Sequence, residues 1–397
     1  MARRGHRRAG WVVSAACLAL TVLAPPAATA SAAAPVESPA AWRQVSAGGF
    51  HTCAIGVSGR LFCWGHNYAG QLGSGAGRAR DVPVEVAGDH DDWTSVAVGF
   101  DHTCAVRDAG HLFCWGSDVN GAVGDGPATD GHVTPFEVAG AHADWSAVSA
   151  GTEYTCGLRD GDLYCWGRDF ESQLGDPTQG NAASPVVVGA DLAPWADVDA
   201  GFRHTCGRTV SGRLYCWGQD EYGQGGDGPG PTVHTTPVEV AGARTDWASL
   251  AVGKRHTCAT TSDGHAYCWG DDDFRQRGAG AGAGPDVDAP VPVTGGATDW
   301  VEVTTGDFHT CGRHEDGSLS CWGADDRGRL GDGPPALDRG RPVPVAASRR
   351  WAAVDAGRAH TCAVTVFDRL FCWGSDQFGQ LGDGSGHLPR YAPNPVT

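Results

Sequence analysis

The chain contains a single Lys, Lys254, and a single Met. Both are good helix formers, whereas Gly and Pro, the two poorest, number 60 and 23. Long helices are therefore excluded as the main building material. Positive charge is scarce as well: 29 Lys plus Arg stand against 46 Asp plus Glu, a net charge of −17. Phosphate backbones are bound by Lys and Arg, so nucleic acids and anionic membrane surfaces are not expected partners. Long apolar runs are also missing. Residues 11–23 form an apolar stretch shorter than the ~20 residues that cross a bilayer. No G-x-S-x-G, H-E-x-x-H or P-loop pattern occurs. No catalytic residue, cofactor or metal is assigned, and the chain is not expected to be an enzyme.

What is present points to strands and to export. Trp, Val, Thr, Phe and Tyr supply apolar content that suits pleated surfaces. Arg3, Arg4, Arg7 and Arg8 precede the apolar stretch, and Ala28-Thr29-Ala30 follows with the small residues a signal peptidase reads. Residues 1–30 are read as a signal peptide, with cleavage in the 28–34 region, and residues 31–41 as a linker. Removing four Arg and no acid takes the charge from −17 to about −21. A secreted protein is expected.

Beyond residue 41 one unit recurs seven times. Paired Cys lead to Trp-Gly at Trp64, Trp115, Trp166, Trp217, Trp269, Trp322 and Trp373. A second Trp opens each unit, at Trp42, Trp93, Trp145, Trp195, Trp247, Trp300 and Trp351. A fixed period of 50 to 53 residues marks a solenoid, propeller or array. Within one unit, 42–47, 51–57, 60–64 and 83–86 read as four short strands separated by turns, which is one propeller blade. The expectation is an all-β, seven-bladed β-propeller of four-stranded antiparallel blades over residues 42–397. The terminal Pro395-Val396-Thr397 resembles the fourth strand of earlier units, and Trp42 opens a first strand. The two ends are thus expected to share one blade and seal the ring as a monomer.

Gly49-Phe-His51-Thr52, Trp64-Gly-His-Asn67 and Gly70-Gln-Leu-Gly73 return in the last unit as His360-Thr361, Trp373-Gly-Ser-Asp376 and Gly379-Gln-Leu-Gly382. These elements resemble the regulator-of-chromosome-condensation repeat family, in a secreted bacterial form with paired cysteines. The resemblance covers about 355 residues and implies a seven-bladed propeller. Tyr154 in place of His and Arg275-Gln-Arg-Gly278 depart from the pattern. The nuclear member is a guanine-nucleotide exchange factor, a role that export and acidity argue against here. Secreted propeller-type β-lactamase inhibitors look like the same repeat family and bind their target with one face.

Fourteen Cys follow the signal as seven pairs, ten residues apart in six units and nine apart in the third. With a three-residue loop ending at Gly59, Cys53 lies across from Cys63. Asp160-Gly161 makes a two-residue turn, and the shorter spacing again opposes Cys156 and Cys165. Disulfides are therefore expected within each hairpin: Cys53–Cys63, Cys104–Cys114, Cys156–Cys165, Cys206–Cys216, Cys258–Cys268, Cys311–Cys321 and Cys362–Cys372. Zinc is the rival reading, but structural zinc sites favour close pairs such as C-x-x-C.

Three recurring sets remain. His51, His102, His204, His256, His309 and His360 precede Thr-Cys, and each is expected to satisfy the same local backbone group. Asn67, Asp118, Asp169, Asp220, Asp272, Asp325 and Asp376 follow Trp-Gly and are expected to fix turns. Calcium is the alternative for the densest acids, at 271–273 and 325–326. The third set varies. The loop after the first strand and the long loop after the third share one end of the ring, the upper face. There lie Phe50, Phe100, Tyr154, Phe202 and Phe308, then Tyr68, Phe170, Tyr222, Phe274 and Phe378, with Arg203, Lys254, Arg255 and Arg358 beside them. Aromatics and Arg on rigidly held loops suit protein recognition. The expected function is an extracellular protein-binding scaffold whose partner is another extracellular or cell-surface protein. A carbohydrate or cell-wall binder, or an inhibitor of a secreted enzyme such as a β-lactamase, are the alternatives.

Overall fold

Each unit folds as four short antiparallel strands. In the first, β1 (Trp42–Ala47), β2 (His51–Gly56), β3 (Leu61–Gly65) and β4 (Arg80–Glu85) pair in sequence order. The same order repeats in seven sheets, which span 42–85, 93–137, 145–188, 195–239, 247–292, 300–344 and 351–395. The computed structural model describes residues 39, 41–75, 77–126, 130–178, 180–280 and 285–397. The signal read at 1–30 and nearly all of the 31–41 linker lie outside them. Among the described residues no helix is long and apolar enough to cross a membrane.

The hairpin geometry follows the turn chemistry. Gly59 sits at φ +82°, a left-handed conformation that closes the three-residue loop, and Cys53 directly opposes Cys63. In the third blade Asp160 and Gly161 both have positive φ, as a two-residue I′ turn requires, and Cys156 opposes Cys165. All seven expected disulfides form inside their own blades, with Cα separations of 4.0–4.1 Å. The outer strand of every blade carries a Pro: Pro83, Pro135, Pro185, Pro237, Pro290, Pro342 and Pro393. A missing N–H there blunts an edge that would otherwise pair with another chain.

The core lies between blades. Ile55, Leu61, Leu72 and the first disulfide pack against Trp93, Val96 and Trp115 of the second blade. Seven such clusters fill the seven junctions. The two Trp of a blade meet edge to face, as at Trp93 and Trp115, 6.1 Å apart. A carbonyl in the upper loop then ties the next blade down. Gln71 O accepts Trp115 Nε1–H at 2.9 Å and Thr103 Oγ1–H at 2.8 Å. A Cβ on Gly73 would lie 2.6 Å from that indole nitrogen, which is why the Gly-Gln-Leu-Gly signature ends in glycine.

The two chain ends do not share a blade, which corrects the sequence expectation. β1 belongs to the first sheet, and Arg390–Pro395 completes the seventh. The ring closes by packing of whole blades. Trp42, Val45 and Trp64 enter one core with Val364, Leu370 and Leu381 of the last blade. Trp64 Nε1 and Thr52 Oγ1 both donate to Gln380 O, repeating the latch of every other junction. Asp355 adds a bridge, accepting from Ala47 N at 2.8 Å and from Thr304 Oγ1 at 3.0 Å. A blade that is complete within its own repeat needs no strand from the other end.

Candidate binding face

The six repeating His form a belt beneath the upper loops. His51 Nε2 lies 2.8 Å from Thr103 Oγ1 of the next blade, and His102, His204, His256, His309 and His360 make the equivalent contact. Each Thr hydroxyl spends its proton on the upper-loop carbonyl, so Nε2–H is the donor and the imidazole is neutral. Burial holds these imidazoles well below their usual pKa, to about 4 for His102 and about 3 for His204, His256 and His360. The His are thus inter-blade ties; the group they satisfy is the neighbouring blade's hydroxyl and not a local backbone atom.

Tyr154 belongs to this belt. It is fully buried, donates to His204 O at 2.7 Å and accepts from Thr205 Oγ1 at 2.9 Å. Its place among the surface aromatics is corrected accordingly. The Asn/Asp set fixes turns as expected: each accepts from the backbone N five residues on, as Asp118 does from Val123 and Asp376 from Leu381.

The remaining upper-face residues fall into two clusters and two pairs. In the first cluster Phe50 lies 5.2 Å from Phe100 and 5.0 Å from Phe378, and His66 stands 4.7 Å from Tyr68. Arg358 covers Phe50 and Phe100 at 4.8 and 5.5 Å. In the second, Lys254 sits between Phe202 and Phe308 at 5.1 and 4.7 Å, Phe308 lies 4.6 Å from Phe274, and Arg203 packs on Phe202. Asp307 joins the clusters, 3.7 Å from Lys254 and 3.3 Å from Arg358. Burial raises its pKa, and the two cations oppose that rise. The pairs are Arg255 over Tyr222 at 4.3 Å and Arg168 over Phe170 at 5.0 Å. Cations held on ring faces by the ring quadrupole keep these side chains pre-arranged.

Sequence reasoning named Tyr68 and Phe170 but missed Val119, and with it the exposed crest of this face. Tyr68, Val119 and Phe170 take the same repeat position in blades 1, 2 and 3, the residue after the turn-fixing Asn/Asp, and are 79%, 73% and 72% exposed. The same position in blades 4, 5 and 6 holds Glu221, Asp273 and Asp326, also exposed. One arc of the rim is apolar and the opposite arc acidic. Registering the repeats on Trp-Gly would have exposed this division. Selecting aromatics alone passed over Val119.

The RCC1-like domain model matches residues 128–397, and the regulator of chromosome condensation (RCC1) repeat models match residues 58–106, 42–71 and 93–122. The chain is 31% identical over 350 residues to the ultraviolet-B receptor UVR8 of Arabidopsis thaliana, covering 86% of this chain and 78% of that protein. It is 27% identical over 347 residues to the human E3 ubiquitin-protein ligase HERC2, spanning 83% of this chain but 7% of HERC2. Its fold matches Prp20p of Saccharomyces cerevisiae with a TM-score of 0.77 at 22% identity, covering 86% of this chain and 87% of Prp20p. By these sequence matches and this blade geometry, the chain belongs to the regulator of chromosome condensation (RCC1) repeat family.

Proposed function

We propose that this propeller is an extracellular, non-catalytic scaffold that binds another protein through its upper face. The observation that carries this reading is the crest of Tyr68, Val119 and Phe170. Three consecutive blades expose a large apolar side chain at one repeat position, beside the Phe50, Phe100 and Phe378 cluster. Binding energy in protein interfaces concentrates in such aromatic anchors on pre-formed surfaces. Prp20p, a structural relative, is described by its binding to Gsp1p and histones. That precedent supports protein recognition by the fold, while the acidity of this chain speaks for a different kind of partner. Seven disulfides are stable in oxidising compartments, which supports an extracellular setting.

The test is affinity capture from the source organism's culture medium on immobilised protein, with purified cell wall as a parallel arm. A stoichiometric protein retained by the wild type and lost on replacing Phe50, Phe100, Phe202 and Phe308 together by Ala is the expected result. Retention of cell wall alone would favour the carbohydrate reading. Protein capture untouched both by these four substitutions and by Tyr68→Ser, Val119→Ser and Phe170→Ser combined would move the site off the upper face.

A further inference from the structure

Four blades share an acidic spacing in the long upper loop. The turn-fixing Asp is followed seven residues later by a second Asp, and seven residues after that, on the fourth strand, comes a basic residue. In blades 6 and 7 that residue is Arg. Arg339 reaches Asp332 at 2.7 Å and Arg390 reaches Asp383 at 2.7 Å. In blade 2 it is His132, bonded to Asp125 at 2.7 Å. The fold therefore builds a slot for positive charge at this point.

Blade 4 fills the slot differently. His234 Nε2 makes a long hydrogen bond to Asp220 Oδ2, at 3.3 Å, and stands 3.2 Å from Asp227 Oδ1, both longer than a short charge-assisted bond. The Asp227 oxygen is buried and accepts no hydrogen bond. Asp220 has already committed its other oxygen to Gly225 N, at 2.6 Å, so Oδ2 is held toward the imidazole. Asp220 and His234 side chains are 4% and 7% exposed. The three donor atoms lie within 4.8 Å of one another. Zinc–ligand bonds of about 2.0–2.2 Å place neighbouring donors of a tetrahedron about 3.3–3.6 Å apart. The separations to Nε2 match that spacing with little movement of the side chains. Asp286 and Asp288 of blade 5 line the adjoining cleft, of about 300 Å³, together with Asp220, Tyr222 and Thr232.

We propose that Asp220, Asp227 and His234 bind a first-row divalent metal ion of the zinc class, with the remaining coordination position facing this cleft. One imidazole and two carboxylates suit zinc or manganese; calcium takes six to eight oxygens and would gain little from an imidazole. The ion would tie the outer strand Val233–Glu239 to the long loop that carries Tyr222, and so fix one corner of the upper face.

The experiment is calorimetric titration of the chelator-treated, folded protein with zinc chloride, alongside thermal unfolding with and without zinc. One saturable equivalent and a higher Tm are expected. His234→Arg installs the residue that blades 6 and 7 carry at this place, so the loop keeps an internal cation and the fold survives. It should weaken zinc binding at least 100-fold and abolish the Tm rise. His132→Ala, in the blade whose His makes a short 2.7 Å bond to its Asp, should leave the zinc equivalent in place. Absence of saturable zinc binding by the folded wild type, or unchanged binding by folded His234→Arg, would overturn the proposal.

Discussion

Blades 1 to 3 and blades 4 to 6 repeat the same strands, the same disulfide and the same latch, yet differ at one exposed position. Tyr68, Val119 and Phe170 on one arc face Glu221, Asp273 and Asp326 on the other. The residue just before it cannot vary in this way, because each Asn or Asp there is buried and holds the loop through the nitrogen five residues on. In a repeat fold, then, structure is carried by what recurs and recognition by what changes at a place the fold leaves free. Under the proposed function, the apolar arc would supply binding energy and the acidic arc opposite it would steer and select.

The largest effect should come from what both arcs share, the belt beneath them. Each buried imidazole has a folded-state pKa below its unfolded value near 6.5, so the unfolded chain takes up protons first as pH falls. Stability should drop as pH falls from about 6.5 toward 4, with each imidazole contributing up to about 1.4 kcal/mol per pH unit. Asp199, raised to about 7 by burial, runs the other way. Asp325 and Asp376, each raised to about 6, and Asp169, Asp197, Asp271, Asp286, Glu302, Asp307 and Asp355, also raised by burial, act with it. Their contribution is full below about pH 3.9 and is lost as pH rises through each folded-state pKa, so they make the acid-side fall shallower. Thermal unfolding at pH 7, 6 and 5 should show a fall in Tm, and a Tm that rises toward pH 5 would contradict the neutral belt.

The arcs themselves are separated next. Tyr68→Ser, Val119→Ser and Phe170→Ser combined should weaken partner binding about 100-fold, or about 2.7 kcal/mol, without changing Tm. Glu221, Asp273 and Asp326 replaced together by Ser should change affinity less than threefold and act mainly on the association rate and its salt dependence. Surface plasmon resonance with the captured partner measures both, and an inverted ranking would reassign the binding arc.

Tyr154→Phe tests the exception in the belt. The lost hydroxyl removes one partner each from His204 O and Thr205, which keep Gly201 N and Gln173 O, at a cost of about 0.5–1.5 kcal/mol in chemical denaturation. Affinity should stay within twofold, since the ring is buried. A binding defect at wild-type stability would return Tyr154 to the recognition surface. The smallest signal is chemical: the protein freed of residues 1–30 should show no free thiols before reduction and fourteen after it, by mass after alkylation.

Much of this was legible in the chain. The paired Trp and the compensating change from ten to nine residues between Cys156 and Cys165 set the strand register, because hairpin pairing is local and turn length fixes it. The upper face was placed by strand direction alone. Tyr154 was misplaced because chain position cannot separate a loop side chain that points outward from one that points between blades. The Asp220, Asp227 and His234 grouping was hidden because seven-residue spacings in an acidic loop have no meaning until the loop is folded.

The sequence by itself determined the number of blades, their strand order and their sulfur–sulfur links, since each depends on contacts within about fifty residues. Only the tertiary structure decided how the ring closes, where the imidazoles donate and which arc of the rim is apolar. Those features arise where one repeat meets the next, and a one-dimensional pattern does not contain the angle at which two sheets pack.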